Sequence, residues 1–140
     1  MKVKQVFETI LTRRVVEVIG AEDITARLQS GKILRIKYGI DPTATSFHLG
    51  HTIPLRKLRE FQELGHIAVF IIGDYTAQIG DPVGKSDTRN MLTLKQTQDN
   101  AKKYVEFASK FIDIKKTEVH FQSEWSVSYT HLTLPTIYSV

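Results

Sequence analysis

Cysteine is absent from the 140 residues. That excludes a disulfide framework and any thiolate metal site within the chain. No apolar run approaches the ~20 residues needed to span a bilayer as a helix. The first residues lack the apolar stretch of a secretory signal, so no membrane partner and a cytoplasmic setting are expected. A large charge excess is also lacking: the net charge is +4, and all of it falls in residues 1–37, where eight Lys or Arg face four acids. Such a basic stretch could meet an RNA backbone. A solvated helix surface explains it equally well, and a few lysines do not identify a nucleic-acid partner. The hydrophobic fraction of 41% and charged fraction of 24% are those of an ordinary globular domain, long enough for one real core.

The pattern along the chain reads as alternating helices and strands. Residues 3–19 place Val6, Ile10 and Leu11 near helical spacing. Residues 21–30 read as a short helix closed by Gly31. Ile33 to Tyr38 reads as a first strand. Leu55, Leu58 and Phe61 form one stripe of a following helix, with Arg56, Lys57, Arg59 and Glu60 mostly outside. Pro54 fits if that helix starts near Gly50 or His51, where a missing N–H costs nothing. Ile67 to Ile72 is uninterrupted and apolar, as in a strand buried on both faces of a parallel sheet. Strand, helix, strand then make a βαβ unit. Thr93 to Phe111 reads as a helix with Thr93 or Thr97 as cap, and Glu118 to Phe121 as a short strand.

The chemistry concentrates in Asp41-Pro42-Thr43-Ala44-Thr45-Ser46-Phe47-His48-Leu49-Gly50-His51, a strand-to-helix loop. A helix N-terminus offers unpaired N–H groups and partial positive charge, which suits phosphate. Two imidazoles add donors, and Gly50 leaves room for a flat ligand. A second loop, residues 73–89, leaves the carboxyl end of the next strand. Open α/β sheets bind ligands at that end.

His48-Leu49-Gly50-His51 resembles the His-Ile-Gly-His signature of class I aminoacyl-tRNA synthetases. Asp41-Pro42-Thr43-Ala44 narrows the resemblance to the tyrosyl-tRNA synthetases. So do the block from Ile72 to Ser86 and the connector from Leu55 to His66, over about residues 1–125. The resemblance implies a Rossmann-like (HUP-type) parallel-sheet α/β core, here truncated. It divides the chain into an N-terminal helical segment (1–31), the first half of the catalytic domain (32–125) and a tail (126–140). It implies activation of L-tyrosine with ATP, with Mg²⁺ carried by the nucleotide, and transfer to tRNA(Tyr) by a homodimer when full length.

The resemblance also implies roles. Thr43 and His48 would meet the phosphates of ATP, and His51 its ribose and adenine. Tyr38, Gly39, Asp41 and Gly50 would line the nucleotide, while Lys85 and Arg89 would reach the pyrophosphate. Thr76 would shape the tyrosine pocket, and Asp81 would receive the α-amino group in a charge-assisted pair. His66, His120 and His131 read as structural or exposed.

Three rival readings stand beside this one. Gly80-Asp81-Pro82-Val83-Gly84-Lys85-Ser86 looks like a P-loop, but it has three residues between its glycines instead of four, and Pro82 removes an N–H from the cradle. A nucleotidyltransferase with the same His-x-Gly-His element would lack the second block. A catalytically dead binding fragment is the third. Lys37 stands where some bacterial tyrosyl enzymes place a tyrosine that touches the substrate hydroxyl, so hydroxyl recognition is not assigned. Val83 replaces a commoner serine. From about residue 126 the chain leaves the family pattern and resembles a translated sequencing-adapter read-through. The chain by itself is expected to be incomplete as an enzyme.

Overall fold

The computed structural model describes residues 8–45, 47–79 and 92–125. Residues 8–12 are helical and are followed by α1 (Ala21–Gln29), β1 (Arg35–Ile40), a 3-10 turn (Leu49–His51) and α2 (Thr52–Glu63). Then come β2 (Ile67–Ile72), the single turn α3 (Thr76–Ile79), α4 (Leu94–Ala108), a 3-10 turn (Ile114–Lys116), β3 (Thr117–Phe121) and a last 3-10 turn (Gln122–Glu124). The sheet has three strands in the order β1-β2-β3, all parallel. Among the described residues no helix is long and apolar enough to cross a membrane.

Strand β2 lies at the centre because it carries no polar side chain. Ala68, Phe70 and Ile72 point to one face and are buried there with Leu55 and Leu58 of α2 and Ala101, Tyr104 and Ala108 of α4. Ile36, Tyr38 and Ile40 of β1 and Phe121 of β3 complete that layer. Fully burying a Leu or Phe side chain stabilises by about 1.5–3 kcal/mol. A second cluster of Ile10, Leu28 and Phe61 docks the N-terminal helical segments on the outer end of α2. On the other sheet face, Arg35 of β1 pairs with Glu118 of β3 across β2, above the buried Val69.

The helix α2 ends as its sequence dictates. Gly65 has φ +88°, and the N–H groups of Gly65 and His66 donate to Gln62 O at 3.0 Å and Phe61 O at 3.1 Å. This is the paired closure that a left-handed residue permits. His66 then accepts the Leu34 N–H on Nδ1 at 3.3 Å, and burial lowers its pKa. It is a structural histidine at the entry of the first strand pair. The helix starts as expected, with Pro54 in its first turn.

Three expectations shift. The first strand runs Arg35–Ile40 instead of Ile33–Tyr38, because its pairing begins at Arg35 opposite Ile67, and Ile33 is 68% exposed. The helix capped by Thr93 stops at Ala108; Phe111 and Ile112 still pack on the core from the turn beyond. Lys57 is not simply solvated. Its Nζ donates to Ile10 O at 2.8 Å, Arg13 O at 2.9 Å and Glu60 Oε2 at 2.6 Å, capping the helical turn at residues 8–12. Residues 126–140 lie outside the described residues.

The Arg35–Glu118 pair makes stability depend on pH in a defined direction. The hydrogen bond from Arg35 is the main cause that holds the Glu118 carboxyl below its ordinary value. Such a group contributes stability above its unfolded pKa and loses it as pH falls through the lower folded pKa. We expect Glu118→Gln to cost under about 1 kcal/mol at neutral pH, since the pair is partly exposed. The deficit should close under acid. Urea midpoints of both proteins across the carboxylate range measure this; a deficit that persists unchanged in acid would exclude the pair as its source.

Candidate nucleotide site at the carboxyl ends of β1 and β2

The loop after β1 is built around two histidines whose rings cap the same turn. The His51 Nδ1 accepts the His48 N–H at 3.2 Å, and the His48 Nδ1 accepts the Gly50 N–H at 3.2 Å. Both Nδ1 atoms are acceptors, so each neutral ring carries its proton on Nε2. The loop therefore presents two Nε2–H donors. The rings lie 3.8 Å apart at 37°. Burial first, and next the neighbouring His48, lower the His51 pKa. Gly50 suits the turn for a local reason: a Cβ would sit 2.9 Å from Cε1 of the His48 ring, so a larger residue would displace that ring.

The sides of the loop are held by α4. Phe47 lies between Tyr104 (centroids 4.1 Å apart), Phe107 (4.3 Å) and the edge of His51 (4.8 Å). Asn100, itself buried, donates from Nδ2 to Pro42 O at 3.1 Å. Burial raises the Tyr104 phenol pKa, and a backbone hydrogen bond from Ala44 opposes that rise. The segment Pro42–Ala44 is thus fixed by two polar side chains on the buried stripe of a helix. Thr43 is exposed, and its N–H donates to Asp41 O at 2.8 Å.

Strand β2 closes the site. The Gly73 N–H donates to Ile40 O at 2.9 Å, so the two strands stay paired to their ends. The Asp41 carboxylate then lies over Gly73: a Cβ at Gly73 would be 1.9 Å from Asp41 Oδ1 and 2.5 Å from Thr76 Oγ1. The Thr76 hydroxyl donates to Asp41 Oδ1 at 2.7 Å. Asp41 and Thr76, expected on the nucleotide and tyrosine sides respectively, are thereby joined.

A family model described as tRNA synthetases class I (W and Y) matches residues 29–134. The chain belongs to that family. It is 52% identical over 116 residues to the tyrosine–tRNA ligase of Thermotoga maritima, covering 83% of this chain and 29% of that protein. It is 54% identical over 118 residues to the tyrosine–tRNA ligase of Dehalococcoides mccartyi strain CBDB1, covering 84% of this chain and 30% of that protein. The chain thus spans about 30% of the length of these curated relatives. Among solved structures, it is similar to a C-terminally truncated mitochondrial tyrosyl-tRNA synthetase of Coccidioides posadasii, with TM-score 0.62, 28% identity, and coverage of 89% of this chain and 38% of that one. The fold also matches the tyrosyl-tRNA synthetase of Aeropyrum pernix, with TM-score 0.71 at 17% identity over 91% of this chain and 37% of that one. The family match runs past the change of character at residue 126.

In this member of the class I family, the remaining expected site residues fall in two groups. Tyr38 faces the helix layer, stacked on Phe70 at 6.0 Å, with its phenol pKa raised by burial and then by Tyr104. Gly39 faces the opposite side with Lys37, where a Cβ would meet nothing closer than 4.0 Å. Asp81, Lys85 and Arg89 lie outside the described residues. Sequence reasoning missed Phe47, Asn100 and Tyr104. The last two were accessible in principle: with Thr97, Ala101 and Ala108 they form one buried stripe, and a polar group on such a stripe needs a partner.

Two measurements follow from this geometry. Gly73→Ala should destabilise the chain by about 1–3 kcal/mol, as overpacking does, because the added methyl must displace Asp41; an unchanged urea midpoint would contradict the overlap. The His51 ring should titrate below ordinary imidazole. A histidine kept neutral in the fold contributes stability above its unfolded pKa and loses it as pH falls, so the cap should weaken in mild acid. Nitrogen NMR should show Nδ1 unprotonated at neutral pH with a lowered midpoint; a raised midpoint would contradict the cap.

Proposed function

We propose that the protein containing this chain is a tyrosine–tRNA ligase. It would activate L-tyrosine with Mg²⁺-carrying ATP and pass the tyrosyl group to tRNA(Tyr), as a cytoplasmic homodimer. Residues 1–31 would form an N-terminal helical segment and residues 32–125 the first half of the catalytic domain. The observation that supports this reading is the histidine cap on the strand-to-helix loop, where both Nδ1 atoms accept backbone N–H groups and Nε2 is left to donate. The named relatives, at 52% and 54% identity, are both tyrosine–tRNA ligases, which favours this reading over a P-loop or a tRNA-free nucleotidyltransferase.

The chemistry fits the residue types. A tyrosine carboxylate oxygen attacks the α-phosphorus, its new P–O bond forms, and the bond to the bridging oxygen of the pyrophosphate breaks. The nucleophile is already ionised, so no general base is needed. Catalysis must come from positioning and from stabilising phosphate charge. His48 and Thr43 would donate to the phosphates, and His51 to the ribose side. Gly39 and Gly50 would let the nucleotide approach the backbone beside Tyr38 and Asp41. Lys85 and Arg89 would take the pyrophosphate charge. Thr76 and Asp81 would form the tyrosine side, where the carboxylate of Asp81 meets the ammonium.

The test is a graft. Residues 29–125 replace the matching segment of the Thermotoga maritima relative, and tyrosine-dependent pyrophosphate exchange is measured. We expect exchange within about tenfold of the parent. A folded graft with no such exchange would sink the proposal. Within an active graft, His48→Ala or Thr43→Ala should lower the exchange rate by about 10²-fold, the typical worth of one preorganised donor. Tyrosine affinity should be nearly unchanged in both.

A further inference from the structure

Asp74 is the one buried carboxylate among the described residues, at 2% exposure, and its partners come from beyond β3. Its Oδ1 accepts the Ser123 N–H at 2.9 Å, and its Oδ2 accepts the Ser123 hydroxyl at 2.6 Å. One residue earlier, Gln122 Oε1 accepts the Thr76 N–H at 3.2 Å. The turn after β3 therefore grips the turn after β2 at two points. Between them, the Thr76 hydroxyl reaches Asp41. A buried carboxylate is expensive unless its lone pairs are satisfied. The same burial makes the bidentate contact stiff, because losing a partner exposes the full desolvation cost.

We propose that Asp74, Gln122 and Ser123 act as a positioning clamp for the tyrosine side of the site, holding Thr76 where its hydroxyl meets Asp41. The proposal rests on reading Thr76 as a wall of the tyrosine pocket. None of the three clamp residues needs to touch substrate. Their effect on the reaction passes through the placement of Thr76. The clamp makes β3 part of the site, although the strand carries no residue expected to bind substrate. It also gives the tyrosine side a support separate from the histidine cap, which hangs on α4.

The test has two arms. In the full 140-residue chain, Gln122→Ala and Ser123→Ala should speed amide exchange at Thr76 by about tenfold or more relative to that at Val69. Gln122→Glu and Ser123→Thr, which keep the acceptor oxygen and the hydroxyl, should restore much of the protection. Thr117→Val, which loses hydrogen bonds at the opposite end of β3, should leave Thr76 exchange unchanged relative to Val69. In the grafted enzyme, the two alanine variants should raise the tyrosine KM by about tenfold with the ATP KM unchanged, and Thr117→Val should change neither. Unchanged exchange at Thr76 would overturn the clamp. Faster exchange with an unchanged tyrosine KM in an active graft would reduce it to a structural contact and overturn the positioning role. An inactive parent graft would instead count against the function, and the exchange arm would decide the clamp.

Discussion

The arrangement depends on one overlap: the Asp41 carboxylate occupies the space that a side chain at Gly73 would need. Strands β1 and β2 are paired to their last residues, Ile40 opposite Ile72. Their exits must therefore leave side by side. Any side chain at Gly73 would push the two loops apart. With none, the carboxylate of one loop lies on the backbone of the other, and Thr76 can reach it. The first block and the described start of the second, Ile72 to Ile79, are then one structure. A motif in the first block has its position fixed by a residue missing its side chain in the second.

The electrostatics of the histidine pair follow from the same closeness. Two imidazolium rings 3.8 Å apart would repel, and burial penalises charge on His51 further. Capping supplies a reason to stay neutral, since a protonated Nδ1 cannot accept an N–H. With both Nδ1 atoms used as acceptors, the donors left on this 3-10 turn are the Nε2 groups. On the proposed function they would orient phosphate oxygens. On this reading the cationic partners of a phosphate chain must come from elsewhere, and the second block carries Lys85 and Arg89 in its sequence.

Legibility in the sequence tracked how local each determinant is. Ile67–Ile72 was readable to the residue because a fully apolar run between Gly65 and Gly73 has few other uses. The Thr93 cap was readable too, and its box with Gln96 is formed. The start of β1 was not. Ile33 and Leu34 have strand propensity, but a strand begins where a partner begins, and the partner begins at Ile67. Lys37 sits in that strand without cost because it points to an exposed face. The histidine loop was located by its spacing, yet the cap was not visible, since it depends on ring orientation. Least visible were the polar anchors: Asn100 lies 58 residues from Pro42 and Asp74 lies 49 from Ser123. Nothing local in a Gln-Ser-Glu turn announces that it will satisfy a carboxylate in the turn after another strand.

That last contact changes what the third strand is for. β3 is bordered by β2 alone among the described residues, and a short edge strand is usually the least constrained part of a sheet. Here it is tied at its entry as well as its exit. Gln62 of α2 donates to Asp113 O at 3.1 Å and to Thr117 Oγ1 at 3.0 Å, and accepts the Asp113 N–H at 3.0 Å. Arg35 reaches across β2 to Glu118. Strands rise ~3.3 Å per residue, so a slip of even one position at the entry would carry Ser123 out of reach of Asp74. The parallel ladder from Ala68 opposite Thr117 to Ile72 opposite Phe121 holds that register along its whole length, so the side-chain contacts at the entry are a second tie and the clamp does not hang on any one of them. A site at one end of a parallel sheet depends on the register that its edge strand keeps along the whole ladder.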